Sequence, residues 1–146
     1  MSEGDYWGAV DAGLVISERD GTFEINSWER GAFDGLRLRG ATLSVVETFL
    51  TMWYGDSWRM QQNWDVLRIA GSAKDLPPGF EVSQGPHGSG ILTIHSVSPV
   101  RVDNLLHTRT AIGLARALSV SLGDLIASYR DPNGLPAFPQ GRSQDV

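Results

Sequence analysis

The chain has 146 residues, of which 41% are apolar and 20% charged, with a formal net charge of −5. That length fits one domain able to bury roughly two-thirds of its unfolded surface, and the composition excludes a disordered chain. The absence of cysteine excludes disulfide scaffolds, thiol nucleophiles, zinc ribbons and iron–sulfur sites, and the acidic balance has the wrong sign for a nonspecific nucleic-acid binder.

Asp5 can cap a short helix through Tyr6, Trp7, Val10 and Ala12, with Gly13 available to end it. Asp20-Gly21 then separates two alternating apolar runs, Leu14–Arg19 and Thr22–Trp28, and predicts a hairpin because both turn residues tolerate positive φ. Phe23, Ile25 and Ser27 would share one face of the second strand, and Leu36–Arg39 reads as a third. Thr42 or Ser44 opens a helix whose buried face is Leu43, Val46, Phe49, Leu50 and Trp53, and Gly55 is expected to end it. The polar, tryptophan-bearing stretch Asp56–Asp65 follows as a loop, and Val66–Ile69 reads as a short strand.

Lys74–Gly79, with Pro77-Pro78, reads as a rigid extended connection. Phe80–Gln84 and Ile91–His95 flank Gly85-Pro-His-Gly-Ser-Gly as a second hairpin with a glycine-rich tip. Asp103 can cap a helix through Leu118, and Ser121 with Asp124 can cap another ending near Tyr129. Asp131-Pro-Asn-Gly is a turn signal, and residues 139–146 read as a frayed tail to a single domain at 1–138. The pattern predicts an α+β fold: a mostly antiparallel sheet built of hairpins, with one central helix and two C-terminal helices packed on it.

The N-terminus lacks the basic and apolar regions of a signal peptide, and no apolar run approaches the about 18 residues needed to span a bilayer. A cytoplasmic chain with no membrane partner is expected. His87, His95 and His107 form no metal-ligand spacing. Gly88-Ser89-Gly90 is no nucleophile elbow, and Gly85–Gly90 has neither Rossmann nor P-loop spacing. The reading is therefore a protein with no catalytic residues, no metal and no cofactor. Leu114–Ile126 resembles the closing helices of repressor-type helix-turn-helix domains, but the helices that read bases are missing ahead of it.

Charge and tryptophan are unevenly placed. All five tryptophans lie within the first 64 residues; residues 1–65 carry a net −6, and residues 66–146 a net +1. Tryptophan and arginine dominate binding hot spots. The candidate partner surface is therefore Asp56, Ser57, Trp58, Arg59, Gln61, Gln62 and Trp64, with Pro86, His87 and Ser89 at the hairpin tip as a weaker candidate. The structural alternative is that Trp58 and Trp64 anchor this connection to the sheet. Substituting Arg59 or Gln62 is expected to weaken partner binding without lowering thermal stability.

Three stretches carry a resemblance. Trp53-Tyr-Gly-Asp-Ser-Trp-Arg, Leu76-Pro-Pro-Gly-Phe-Glu-Val, and Ala117–Leu125 continuing to Asp131-Pro-Asn-Gly-Leu-Pro occur in the order seen in a family of immunity factors. That family neutralises the tuberculosis necrotizing toxin and related polymorphic toxins of mycobacteria and other actinobacteria, and the resemblance covers about residues 5–138. It implies a small α+β antitoxin, monomeric when free, that forms a heterodimer with a secreted or contact-dependent toxin domain and blocks its NAD-hydrolysing site. It also implies that the segment Asp56–Gln62 faces the toxin, with Gln61 and Gln62 chosen by their chemistry as the residues that enter its pocket. The alternatives are a protein-interaction module of phage or defence origin, a DNA-binding regulator and a small hydrolase.

Overall fold

The computed structural model describes residues 5–8, 12–30, 32–69 and 72–140. Four strands come first: β1 (Asp5–Gly8), β2 (Ala12–Arg19), β3 (Thr22–Glu29) and β4 (Ala32–Ala41). A long helix α1 (Leu43–Gln61) leads to β5 (Phe80–Gln84), β6 (Gly90–Ile94) and β7 (Val100–Leu105), then α2 (Thr108–Leu118) and α3 (Leu122–Arg130). The seven strands form one sheet in the order β1-β2-β3-β4-β7-β6-β5, and every neighbouring pair is antiparallel. The α+β fold with helices packed on a hairpin-built sheet is as the sequence predicts.

Local chemistry explains most of the elements. Asp20 (φ 52°) and Gly21 (φ 81°) both adopt the left-handed conformation, which matches the right-handed twist of strands paired from Arg19–Thr22 back to Ala12–Glu29. Ile25 and Ser27 are buried on one face of β3 and Phe23 is half-buried. The Thr42 side chain caps α1 by accepting from the Val45 N–H at 3.4 Å. Ser121 caps α3 in the same way, accepting from Asp124 N–H at 3.1 Å.

Several expectations are corrected. The helix expected from Asp5 is a strand: β1 pairs with the outer edge of β2, Tyr6 opposite Val15 and Trp7 opposite Leu14. A short run with two aromatics suits either element by periodicity, and the open strand edge decides it. Residues 9–11 of that expectation lie outside the described residues. Val66–Ile69 is not a strand; Leu67 and Ile69 point into a second apolar cluster with Leu125, Tyr129 and Phe138. Asp103 caps no helix but pairs with Arg39 within β7, and His107 caps α2 instead, its Nδ1 accepting from Thr110 N–H at 3.3 Å. Leu43 is 59% exposed rather than part of the buried face of α1.

α1 also runs past Gly55. A Cβ at that position would lie 2.5 Å from the Tyr129 ring, so the glycine is a close-approach site for α3 rather than a terminator. The helix stops two turns later in a Schellman motif. Asn63 takes φ 59°, Asn63 N–H donates to Met60 O at 3.0 Å, and Trp64 N–H donates to Arg59 O at 2.9 Å.

The main core lies between the sheet and the α1–α2 layer, around Leu14, Ile25, Leu38, Val45, Leu92 and Leu114. α3 packs against α1 and closes the second cluster. The expected fraying does not begin at residue 139: Gln140 N–H donates to Asn133 O at 2.7 Å, and its side chain accepts from Arg68 N–H at 2.9 Å. Residues 141–146 lie outside the described residues.

Candidate partner-binding surface

The segment read as a loop is helical. Asp56, Ser57, Trp58, Arg59 and Gln61 occupy the last turns of α1, Gln62 is its C-cap residue, and Trp64 follows the Schellman turn. Spacing i, i+3, i+4 places Trp58, Gln61 and Gln62 on one side of this helix end. Trp58 is 37% exposed, with its ring edge-on to Trp64 at 5.4 Å between centroids. Gln61 and Gln62 are exposed. Their side-chain amides have no hydrogen-bond partner among the described residues, so both donors and acceptor are free for a partner.

Arg59 behaves oppositely and corrects the sequence expectation. It is 1% exposed, which withdraws it from any partner surface. Its Nε donates to Asp65 O at 2.7 Å. Its Nη1 donates to Asp131 O at 2.6 Å, Tyr129 O at 3.2 Å and Ser128 O at 3.4 Å, and its Nη2 to Pro132 O at 3.2 Å. Ser128, Tyr129 and Asp131 carry the closing carbonyls of α3, and a buried cation at a helix C-terminus also meets the negative end of the helix dipole. The guanidinium further lies 5.5 Å from the Trp64 ring centroid. Arg59 is therefore structural, and Trp64, half-buried, packs on Trp58 and Arg59 at the end of α1.

Asp56 and Ser57 are half-buried. Ser57 Oγ donates to Trp53 O at 3.4 Å within the helix, and Asp56 Oδ1 accepts from Leu67 N–H at 3.1 Å. Burial pushes the Asp56 carboxyl above its ordinary value, opposed by the Leu67 bond and the charge of Arg59. Burial and the neighbouring Asp56 charge also push the Tyr129 phenol well up. Of the tryptophans, Trp28, Trp53, Trp58 and Trp64 are all at least partly exposed, and nothing is described of the Trp7 side chain.

The weaker candidates lie elsewhere, on the rim of a groove of about 670 Å³. Pro86 and His87 are exposed and Ser89 is half-buried in a 3₁₀ turn between β5 and β6, with His87 held at φ 57°. Asp56 reaches this groove from α1, so the structure brings together one residue of the first candidate set with all three of the second. Sequence reasoning missed the groove's basic side chains, Arg37, Arg39 and Arg101. They come from strands far apart in the chain, and only their alternation with apolar residues marked them as outward-facing.

An exposed tryptophan beside unpartnered amides, together with a groove edged by arginines, has the composition of a binding surface. The family model for Immunity protein 61 matches residues 2–137, and the chain belongs to this immunity-protein family. Membership carries an immunity role and a toxin as binding partner. Among solved structures, Rv3902c from M. tuberculosis shares the fold with a TM-score of 0.72 at 22% identity, over 88% of this chain and 74% of that one. Nothing among curated proteins matches.

Proposed function

We propose that this chain is a cytoplasmic immunity protein that binds an NAD(P)-glycohydrolase toxin domain and fills its active site with the C-terminal end of α1. One observation carries the reading: Trp58, Gln61 and Gln62 are exposed at a helix end that Arg59 makes rigid. A rigid support lowers the entropy lost on binding, and glutamine amides can satisfy pocket groups that a nicotinamide amide would otherwise meet. The net charge of −5 favours approach to a cleft built for an anionic dinucleotide, because such clefts are basic. Inhibition is steric: the protein supplies no reacting group.

The test is co-expression in bacteria with the toxin domain encoded in the same gene cluster. Viability and cellular NAD should both be preserved. Collapse of NAD in the presence of abundant soluble protein would exclude this target. A DNA mobility shift that weakens with salt would instead favour the regulator.

A further inference from the structure

Among the described residues, the two halves of the sheet, β1–β4 and β5–β7, pair in register at Arg39 on β4 with Asp103 on β7. Next to it Asn104, held at φ 66°, turns its side-chain amide across the seam to donate to Leu36 O at 2.7 Å. The groove opens beside this join, with Phe49, Met52 and Trp53 of α1 among its apolar lining. Its volume falls within the roughly 300–1,000 Å³ typical of sites that take a discrete ligand or side-chain cluster.

Its charged groups are three arginines and two carboxylates. Arg39 and Arg101 have side chains 55% and 65% exposed, and each engages a carboxylate through Nε, with Glu24 at 3.3 Å and Asp103 at 2.9 Å. Their terminal nitrogens have no partner among the described residues. Arg37 lies 5.3 Å from the Trp53 ring centroid, and its Nε donates to Ser27 Oγ at 3.0 Å. Two carboxylates also face the groove: Asp103, held by Arg101, and Asp56, held by the Leu67 N–H. Three guanidiniums and two carboxylates line the groove, and the Glu24 carboxylate beside Arg39 balances the charge, so what distinguishes the groove is the set of terminal N–H groups on Arg39 and Arg101.

We propose that this groove is a second toxin-contact site, and that it receives a segment of the toxin presenting a carboxylate beside an aromatic or aliphatic side chain. The apolar side chain enters against Met52 and Trp53, and the carboxylate accepts from the terminal nitrogens of Arg39 and Arg101. The two arginines are pre-positioned by their Nε contacts, so little of their freedom remains to be lost. A carboxylate of the toxin set on these terminal nitrogens fixes the docking orientation. The inference rests on the immunity role proposed above, and is independent of which residues of α1 enter the toxin.

The test is calorimetric titration of the full chain with the toxin domain encoded in the same gene cluster. The double variant Arg39→Gln/Arg101→Gln should weaken binding by about tenfold or more, whereas Asp56→Asn, which removes a like-charged carboxylate from the groove and leaves both Nε contacts in place, should tighten it by about threefold. Loss of affinity in both, or in neither, with thermal unfolding unchanged, overturns the groove site and leaves the immunity role standing. If the unaltered chain does not bind the toxin at all, both proposals fail. Should the double variant unfold, the sign of the Asp56→Asn effect decides alone.

Discussion

The guanidinium of Arg59 donates to the main-chain carbonyl of Asp131 at 2.6 Å, tying the end of α1 to the end of α3. Counting the Asp65, Ser128, Tyr129 and Pro132 carbonyls, one side chain satisfies five acceptors in a region almost sealed from water. Replacing it with Met keeps the volume and strips those carbonyls of their donor. The expected loss is about 3–5 kcal/mol in urea unfolding, with Arg59→Lys retaining a minor part of it. An unchanged unfolding midpoint for Arg59→Met would show that water replaces the guanidinium without cost.

Gly55→Ala should be destabilising by about 1–3 kcal/mol, although alanine is the better helix former. The added methyl meets the Tyr129 ring, and α3 must move away from α1. Thermal unfolding of Gly55→Ala with Tyr129→Leu measures the coupling: the double variant should recover most of the loss caused by Gly55→Ala alone.

Asp56→Asn should be neutral or stabilising at pH 7. Burial raises the Asp56 carboxyl above its ordinary 3.8, so the folded state holds the proton more tightly than the unfolded state. Its contribution is therefore most favourable below 3.8 and is lost as pH rises through the raised folded value. Asn keeps an acceptor for the Leu67 N–H and carries no charge at any pH. Denaturation series should show the advantage of Asp56→Asn at pH 7 shrinking as pH falls through the raised folded value and absent below 3.8.

On the partner side, Gln61→Ala/Gln62→Ala should weaken toxin binding by about tenfold or more while moving the melting temperature by less than about 2 °C. Both amides are exposed, and the capping bonds of Gln62 are made by its main chain. A fall in melting temperature that tracks the fall in affinity would make these residues structural.

Much of the fold is written locally. Asp20-Gly21, Thr42, Ser121 and the glycine-rich tip at 85–90 each act through neighbours within a few positions, and each marks its element correctly in the sequence. The errors arise where a distant residue decides. Gly55 reads as a terminator until Tyr129 is placed against it, while the true terminator, Asn63, is marked by a residue type that also suits loops. Arg59 reads as a surface hot spot because its acceptors are carbonyls, which any sequence would supply and none announces. The groove is less legible still, since Arg39 and Arg101 share a site only after β4 and β7 pair.

The Arg59 clamp also bears on the order in which the chain is made. Four strands and α1 leave the ribosome before the carbonyls at 128–132 exist, so the early half carries a guanidinium destined for burial with nothing to bury it against. Completion of the C-terminal turn thus licenses the docking of α1 made long before it. A chain truncated ahead of Ser128 would leave that guanidinium without its α3 carbonyls, and limited proteolysis of it is expected to cut at the end of α1, where the full chain resists.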